Sequence, residues 1–377
     1  MDITRNPEGV VAKIRMRKPS DMHQHFRHDC RLPIVAPLVA ERFQMAVAMP
    51  NLDPPITTFA QMRAHREAIL SSLGNNTLFK PLMTMYLTDT LDPEECVRAW
   101  NHLDFVGIKY YPRGLTTGSD KGVTDPSALW TRKTNPYEVL RALSHDNLVL
   151  LMHGADGVDK NGRELDPYDQ EKHFIKESLP RIRDAHPNLK ISLEHISTME
   201  ACEYIENNAC ERLGASITPH HLLLDRRDVF RGGFRPHRSW MPVIQPEEHK
   251  EAIRDFIKRG RNFEFIWLGS DSAPHSQESK ESACCASGVM TAHAAIELYV
   301  EAFEDMDMLD KLEQFASING PRFFGQAPSH EEIELVREEW VVKEPFVALV
   351  PPSEKPSGVE RIIPFRLGEK VRWKLAA

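Results

Sequence analysis

Side chains that can bind a metal ion recur where short apolar segments of the sequence end. The first two are His23 and His25, in the segment DMHQHFR. In an extended chain, residues two apart point to the same side, so both imidazoles can reach one metal ion, and Arg27 follows on that face. Taken alone, this pair is only moderately specific for a metal site, because chance pairs are common in a chain with 17 histidines.

Four more candidates follow later apolar segments, and they are Lys109, His153, His195 and Asp271. Taken singly, each has an ordinary explanation, since a lysine at a strand end is usually a surface residue and a histidine there is usually a structural hydrogen-bonding residue. A lysine at the end of an apolar segment nevertheless needs a partner or a modification. Together, imidazole and carboxylate groups at successive strand ends suit a hydrolytic zinc site with an open position.

Strand and helix patterns alternate along most of the chain. Short apolar segments predict eight strands, at residues 11–15, 45–49, 78–85, 105–110, 148–152, 190–193, 215–218 and 263–268. Helical patterns lie between them, at 59–72, 93–101, 137–143, 171–185, 199–207, 247–258 and 291–303. This α/β alternation, without a GxGxxG phosphate turn, favours a (β/α)8 TIM-type barrel over an open doubly wound sheet. Barrel enzymes keep their active sites at the C-terminal ends of the strands, so this fold would bring the six candidates to one rim.

Other histidines fall in or beside helical patterns, and we expect solvent-exposed side chains there: His65, His102, His145, His173, His186, His249 and His293. The last fifty residues change character, with the proline-rich ALVPPSEKPSGV followed by the alternating RIIPFRLGEKVRW. Such alternation predicts one or two strands. We therefore expect one barrel domain over residues 1–377, with a small extension from about 335 to 377 packed on the barrel beside residues 3–13.

Composition limits the classes of function. The 47 Lys and Arg residues against 55 Asp and Glu give a net charge of −8, and no basic segment is interleaved with aromatic residues, so we expect no nucleic-acid partner. We also expect no membrane partner, because no segment approaches the roughly 20 apolar residues of a membrane span. The charged N-terminus lacks an apolar signal core, which predicts a cytoplasmic protein. The six cysteines form no CxxC pair, which argues against a cysteine zinc site.

The pattern of candidate ligands is that of the amidohydrolase superfamily, and within it the chain resembles the shorter bacterial class of dihydroorotases. The resemblance covers nearly the whole chain and is carried by the segments DMHQHFR, AVAMPNLDPPITT, MTMYLTDTLDP, IKYYPRG, HGADG, LEHIST, ITPHHL, GGFRPH, GSDSAPH and SINGPRFFG. The chain departs from the class at Ala155, where an acidic residue is frequent, and at His220, where glutamine is common.

The resemblance implies a binuclear centre of two Zn²⁺ ions, bridged by a hydroxide and by Lys109 carbamylated to N6-carboxylysine. The implied ligands are His23, His25 and Asp271 for one ion and His153 and His195 for the other. The implied reaction is the reversible hydrolysis of (S)-dihydroorotate to N-carbamoyl-L-aspartate in pyrimidine biosynthesis. The hydroxide would attack the ring amide carbonyl, since metal binding lowers the pKa of water from 15.7 to about 7. Asp271 would act as general base and then as general acid.

The resemblance also implies how the small-molecule substrate is bound. Arg27, Asn51 and His275 would bind its carboxylate, for which the planar guanidinium fork of arginine is well suited. Further substrate contacts are implied for the Met241 backbone, for Ala286, and for Thr116 and Thr117 on a mobile lid. A homodimer is implied as well.

Two other interpretations remain open from the sequence. A hydantoinase or allantoinase, which also hydrolyses a cyclic amide, would share the six metal positions but should lack the carboxylate-binding set of Arg27, Asn51 and His275. A catalytically inactive relative, kept as a binding module, would normally have lost metal ligands, and this chain has lost none of the six.

Overall fold

The computed structural model describes residues 1–74, 78–102, 104–144, 148–353 and 355–376. The chain begins with two antiparallel strands, β1 (Asp2–Arg5) and β2 (Val11–Arg17). An eight-stranded parallel sheet follows, in which each strand pairs with the next along the chain. Its strands are β3 (Ser20–Gln24), β4 (Met45–Ala48), β5 (Lys80–Leu87), β6 (Phe105–Tyr110), β7 (Val149–Met152), β8 (Lys190–Leu193), β9 (Leu213–Ile217) and β10 (Ile266–Leu268).

The sheet closes on itself where the chain beyond β10 meets the end of β3. Gln24 and Ser272 form a parallel bridge, and the Asp271 N–H donates to the His23 carbonyl over 2.9 Å. The His25 N–H donates to the Ser272 carbonyl over 3.2 Å. With helices between successive strands, this is a (β/α)8 barrel, and the predicted fold class is confirmed.

The helices surround the barrel and connect its strands. They are α1 (Leu32–Arg42), α2 (Phe59–Ser71), α3 (Pro93–Trp100), α4 (Asn135–Leu143), α5 (Gln170–His173), α6 (Leu179–Ala185), α7 (Met199–Asn208), α8 (Pro219–Leu223), α9 (Arg226–Phe230), α10 (Glu247–Arg259), α11 (Gln277–Lys280), α12 (Ala295–Asp305) and α13 (Gly320–Phe323). A π-helical turn, Phe174–Ser178, joins α5 to α6. Local sequence fixes several ends: Thr58 and Gln61 form a capping box before α2, and Gly260 ends α10 in the left-handed conformation.

Side chains alternate between the inside of the barrel and its helical shell. On β7, Val149 and Leu151 belong to the cluster inside the barrel, whereas Leu150 and Met152 pack in the larger cluster that includes the helices. This period of two is what a strand buried on both faces requires. Trp267 of β10 also lies in the inner cluster.

The first predicted strand was wrong. Residues 11–15 belong to β2, which pairs with β1 in a separate antiparallel sheet, and the first barrel strand is β3. The sequence SDMHQ of β3 is mostly polar, so it has no apolar signal, although all five residues are buried. The other seven predicted strands overlap the observed ones. Helix α1 was not predicted, because it contains Pro37 within its span.

The C-terminal segment forms short antiparallel strands around the N-terminal pair and α12. These are β11 (Glu332–Val336), β12 (Trp340–Val341), β13 (Phe346–Leu349), β14 (Val359–Ile362), β15 (Lys370–Val371) and β16 (Lys374–Leu375). β11 lies between β2 and β16, while β12 pairs with β15 and β13 with β14. Glu301 of α12 accepts hydrogen bonds from the Arg366 side chain and the Arg372 N–H, which holds this segment on the barrel. Residues 354 and 377 of the predicted extension lie outside the described residues.

Four histidines expected at the surface are instead buried: His65, His186, His249 and His293. The reason is that they lie on helix faces or at helix ends that pack inward. Two of the rings are hydrogen-bonded to backbone groups there, His186 to the Leu129 carbonyl and His249 to the Met199 N–H. Burial lowers the pKa of His65 to about 4 and that of His293 to about 3, so both are neutral. His145 lies outside the described residues. Among the helices of the described chain, none combines the length and apolar character that a membrane span requires.

Candidate metal centre and substrate cavity

The first group of metal candidates lies where the ends of β3 and β10 meet. His23 Nε2 is 3.3 Å and His25 Nε2 is 3.0 Å from the same carboxylate oxygen, Oδ1 of Asp271. All three side chains are buried, and one ligand atom from each lies within 4.8 Å of the others. Burial opposes ionisation of Asp271, yet the rings of His23 and His25 hold the pKa of its carboxyl well below the usual range. The three residues thus direct two imidazoles and one ionised carboxylate to a single point.

The second group lies at the ends of β7 and β8. His153 Nδ1 is 3.2 Å from His195 Nε2, and the His195 ring centre is 5.2 Å from that of His23, which links the two groups. Burial, assisted by the charge of Lys109, lowers the pKa of His153 to about 3. Burial and the neighbouring His153 likewise hold the pKa of His195 well below its usual value. Both imidazoles are therefore neutral, which is the form that binds metal ions.

Lys109 lies next to both groups at the end of β6. It is fully buried, and its Nζ has no hydrogen-bond partner among the described residues. Burial lowers the pKa of its amine to about 8, although the carboxylates of Glu194 and Asp271 act in the opposite direction. Because a buried amine without a partner is costly, this lysine fits either a modification or a bound anionic group.

Irregular strand pairing accompanies two of these residues. β3 has one extra residue relative to β4 between Asp21 and Gln24, the stretch that contains His23. β6 has one extra residue relative to β5 just before Gly107, two residues ahead of Lys109. Such bulges change the direction in which side chains point and are common beside active sites. The strands therefore depart from regular pairing where candidate ligands must turn into the barrel.

Three candidate site residues have left-handed backbone conformations. The φ angles are 63° at Arg27, 44° at His195 and 46° at Asp271. Such conformations cost on the order of 1–3 kcal/mol for residues with a side chain and cluster at functional sites. Hydrogen bonds hold two of them in place, since the His195 N–H donates to Ser216 Oγ and the Asp271 N–H to the His23 carbonyl. The backbone is thus strained at three of the residues that were predicted to bind metal or substrate.

Glu194 is a functional candidate that the sequence reasoning missed. His23 Nδ1 is hydrogen-bonded to its buried carboxylate, which also accepts from Ser192 Oγ and from Ser216 Oγ. Burial opposes protonation of the His23 ring, but the carboxylates of Asp271 and Glu194 raise its pKa. A proton on Nδ1 leaves Nε2 as the ligand atom, the usual role of a carboxylate behind a metal-binding histidine. The signal was present in the sequence, as an acidic residue between the end of a buried strand and the candidate ligand His195.

The residues fit a metal centre. Ligand bonds of about 2.1 Å in a tetrahedral zinc site place two ligand atoms roughly 3.4 Å apart. Three pairs of candidate atoms here are 3.0, 3.2 and 3.3 Å apart. The described residues also include buried nitrogens at this place without any hydrogen-bond partner, and these are His25 Nδ1, Lys109 Nζ, His153 Nε2 and His195 Nδ1.

Arg27 and His275 form a candidate anion site at the edge of the metal candidates. Arg27 is buried, and the described residues place no carboxylate within ion-pair distance of its guanidinium. His275 Nε2 lies 2.9 Å from the Ser287 carbonyl and 3.1 Å from Arg27 Nη2. Burial and the Arg27 charge keep the pKa of His275 well below its usual value, so the ring is neutral. If the ring donates to Ser287, the Arg27 Nη2 hydrogens remain available to an anionic ligand.

The segment 113–122 after β6, which we call the lid, is docked over the cavity. Asn51 Nδ2 donates to the Thr117 carbonyl over 3.3 Å, and the Tyr86 hydroxyl donates to the Gly118 carbonyl over 3.1 Å. Gly118 has a φ of 72°, and a Cβ there would lie 3.2 Å from Asn51 Nδ2, so the docked lid needs glycine at this point. The inner cavity then has about 20 Å³ of space, against about 490 Å³ in the outer cleft.

Most of the predicted substrate contacts reach the inner cavity. Beside the histidines and Asp271, its walls include Arg27, Asn51, Thr116, Thr117, Met241, His275, Ser287 and Gly288. Ala286 is not part of this lining, because its N–H donates to the Ser279 carbonyl and its own carbonyl accepts from Lys280. The next two residues face the cavity instead.

A comparison with protein-family models gives no match. Curated relatives, by contrast, cover nearly the full chain. The dihydroorotase of Hahella chejuensis is 42% identical over 364 residues, which is 97% of this chain and 99% of the relative. The dihydroorotase of an Azoarcus species is 41% identical over 97% of this chain and 100% of its own length. The chain belongs to the dihydroorotase family. It is accordingly a hydrolase of the metal-dependent amidohydrolase type.

Solved dihydroorotases have the same fold over the same length. The Campylobacter jejuni enzyme has a TM-score of 0.82 and 30% identity, and covers 100% of this chain and 99% of its own. The Saccharomyces cerevisiae enzyme, solved in complex with 5-fluoroorotic acid, has a TM-score of 0.84 and 28% identity, and covers 97% and 99%. An L-hydantoinase from Arthrobacter aurescens has a TM-score of 0.73 at 15% identity over 96% of this chain and 83% of its own, which shows the shared fold alone.

Proposed function

We propose that this chain catalyses the reversible hydrolysis of (S)-dihydroorotate to N-carbamoyl-L-aspartate in pyrimidine biosynthesis. The observation that carries the proposal is the buried guanidinium of Arg27, which has no carboxylate partner among the described residues and lies beside His275 at the edge of a cluster of metal-binding side chains. A cyclic amide that carries a carboxylate matches this combination. The carboxylate would occupy the anion site while the ring amide faces the metal candidates.

Two Zn²⁺ ions are the proposed cofactors. His23, His25 and Asp271 would hold one ion and His153 and His195 the other, with Lys109, carbamylated to N6-carboxylysine, as a further ligand. Bound ions would supply Lewis acidity toward the amide carbonyl and a water whose pKa is lowered toward about 7. Burial favours the neutral amine of Lys109, whose nitrogen can form a bond to the carbon of CO₂ and release a proton.

Asp271 is the proposed proton carrier. It lines the inner cavity, and its low pKa keeps the carboxylate in the base form near neutral pH. It would take the proton from the attacking water and deliver it to the ring nitrogen as the amide bond breaks. The reverse sequence closes the ring. Glu194 would keep the His23 ring in the required tautomer throughout.

The substrate carboxylate is proposed to bind to Arg27, Asn51 and His275. Asn51 Nδ2 contacts the Thr117 carbonyl in the docked lid, so one amide group could contact both ligand and lid. Thr116 and Thr117 would contact the substrate from the lid, and the Met241 backbone would contact the ring amide. A space of about 20 Å³ cannot hold a pyrimidine ring, so the lid must withdraw before substrate binds.

Paired substrates test the proposal directly. We expect the zinc-loaded chain to open dihydroorotate, followed by the loss of its ultraviolet absorbance, and to act poorly on dihydrouracil, which lacks the carboxylate. Arg27→Met should raise KM for dihydroorotate roughly 10- to 100-fold, since a hydrogen-bonded charge pair is lost. Chelation should abolish turnover, and added zinc should restore it. Preferred turnover of hydantoin or dihydrouracil would instead indicate one of the other cyclic-amide hydrolases.

Three further points are part of the proposal. We propose a cytoplasmic homodimer, to be tested by light scattering of the purified chain and by fractionation of cells. We also propose that residues from about 335 onward form an extension of a single barrel domain. Pairing of β11 with β2 over five residues supports this arrangement. Limited proteolysis that released this segment as an independently folded unit would contradict it.

A further inference from the structure

Lys280, the last residue of α11, is buried and has no carboxylate partner among the described residues. Only 3% of the residue is exposed, and the described part of the chain places no carboxylate within ion-pair distance of its Nζ. The ammonium instead donates to three backbone carbonyls, those of Ser239 over 2.8 Å, Ala286 over 2.8 Å and Gly288 over 2.9 Å. An ammonium has three N–H donors, so every one of them is used.

The three carbonyls belong to two segments that are far apart in sequence, residues 239–241 and 286–288. We call these two segments together the carbonyl wall. Met241 from the first segment and Ser287 and Gly288 from the second line the inner cavity. The segments also touch directly, since the Gly288 N–H donates to the Ser239 carbonyl over 3.0 Å. One buried ammonium therefore ties together two parts of the cavity surface.

The carbonyl wall also meets the lid and the anion site. The Ser287 N–H donates to Thr117 Oγ1 over 2.8 Å, and the Ser287 carbonyl lies 2.9 Å from His275 Nε2. At Gly288, an added Cβ would lie 3.0 Å from His275 Nε2 and 2.7 Å from the Ala273 Cβ. Any side chain at Gly288 would therefore collide with His275 and Ala273, so the wall can lie this close to the anion site only with glycine at this position.

We propose that Lys280 is a positioning residue, whose ammonium holds the carbonyl wall so that Met241, Ser287 and the docked lid can contact bound substrate together. Its three backbone acceptors are all carbonyls of the wall, its other polar neighbour is the Cys285 thiol beside the wall, and none of these groups is a metal candidate, so it acts on substrate binding and lid docking without altering the metal centre. The proposal rests on the proposed function only for the identity of the substrate.

The chemistry of the site favours lysine over arginine. Three carbonyls converge on one nitrogen, which suits a compact ammonium, whereas a guanidinium spreads five donors over a rigid plane. Burial lowers the pKa of Lys280 to about 8, so the group is mostly charged at neutral pH. Lys280→Arg therefore keeps the charge but loses the geometry, and Lys280→Met keeps the aliphatic stem but loses all three donors.

The test compares both variants with Lys18→Met in the zinc-loaded full chain. Lys18 is a matched control because it is a partly buried lysine that donates to one carbonyl, that of Ala40, which is not part of the cavity. For Lys280→Met and Lys280→Arg we expect kcat/KM for dihydroorotate to fall about 10- to 100-fold, mainly through KM, with zinc content unchanged. Amide hydrogen exchange should lose protection at Ser287 and Gly288 but not in the barrel strands.

Two results would overturn the proposal: a folded Lys280→Met variant with the wild-type KM, or a loss of protection spread evenly over the barrel. If Lys280→Met does not fold, Lys280→Arg carries the same test with less disturbance. The exchange measurement needs no substrate, so it tests the carbonyl wall by itself. Inactivity of the unmodified chain toward dihydroorotate would contradict the proposed function. The hydrogen exchange at Ser287 and Gly288 would then still decide whether Lys280 holds the carbonyl wall.

Discussion

The two halves of the site are built by different means. The metal half consists of side chains from β3 and β6 and from the ends of β7, β8 and β10, all buried and with their backbone fixed by the barrel. The substrate half combines the anion site with the lid and the carbonyl wall. Single hydrogen bonds join the lid to Asn51, to Tyr86 and to Ser287 of the wall.

The two halves therefore meet different requirements: the metal half needs a fixed geometry, and the substrate half must give the substrate access to the cavity. Groups on strands keep their positions whether or not a ligand is present, which suits a metal centre that must be preorganised. Loop segments can move as a unit, which suits a cavity that must open for substrate and close again. Damage to the metal half should therefore reduce kcat or metal affinity, and damage to the substrate half should change KM and lid docking.

The largest effect is expected for Asp271→Ala, at the centre of the metal half. Loss of the proton carrier alone should lower kcat by roughly 10²–10⁴-fold, and loss of a metal ligand adds to this, so turnover should be abolished. Circular dichroism should show an intact fold. Asp159→Ala, at a partly exposed position outside the walls of the cavity, is the control and should retain activity. Appreciable residual turnover in Asp271→Ala would count against its role as proton carrier.

Glu194→Gln should weaken the metal half without removing a ligand. The substitution keeps the size of the side chain but replaces the charged acceptor behind His23 with a neutral amide. We expect metal affinity to fall roughly 10- to 100-fold, measured by competition with a chromophoric chelator, and saturating zinc to restore most of the activity. Glu206→Gln, which affects only a surface ion pair with Arg259, should leave the affinity unchanged. If the two variants had the same affinity for zinc, the role of Glu194 in the metal half would be contradicted.

The metal half was largely predictable because its residue types can be recognised in the sequence. A histidine or aspartate directly after an apolar strand stands out in the sequence, and strand ends of a parallel barrel meet at one rim. The strand that holds His23 was misplaced all the same, since SDMHQ is polar and the apolar residues 11–15 gave a stronger pattern. The extra residue before Gly107 leaves no trace in the sequence, because a bulge depends on how two strands pair.

The loop part of the substrate half was harder to predict, because backbone groups that line a cavity have no residue signature. Met241 was found only through the resemblance. The resemblance implied a substrate contact at Ala286, whereas the residues that line the inner cavity here are Ser287 and Gly288. Lys280 has no sequence signal at all, since a lysine in the helix QESK has the pattern of a solvated surface residue, and its burial depends on loops that come together only in the folded chain.

The smallest effect is expected for Tyr86→Phe, which is also the most sensitive test of whether the metal half and the substrate half act independently. Burial raises the pKa of the Tyr86 hydroxyl, so it stays protonated and donates to the Gly118 carbonyl of the lid. A neutral hydrogen bond contributes about 0.5–1.5 kcal/mol, so its loss should reduce kcat/KM roughly 2- to 10-fold.

The ring of Tyr86 remains in Tyr86→Phe and keeps its contact with Tyr111, at 5.0 Å between centres, so the strand should be unaffected. Tyr204→Phe is the matched control, because its hydroxyl accepts a hydrogen bond from Arg183 on the surface. Zinc content should stay constant in both variants, while hydrogen exchange in the lid should quicken only in Tyr86→Phe. A loss of zinc in that variant would show that the lid and the metal centre are coupled, and the two halves would then have to be treated as one unit.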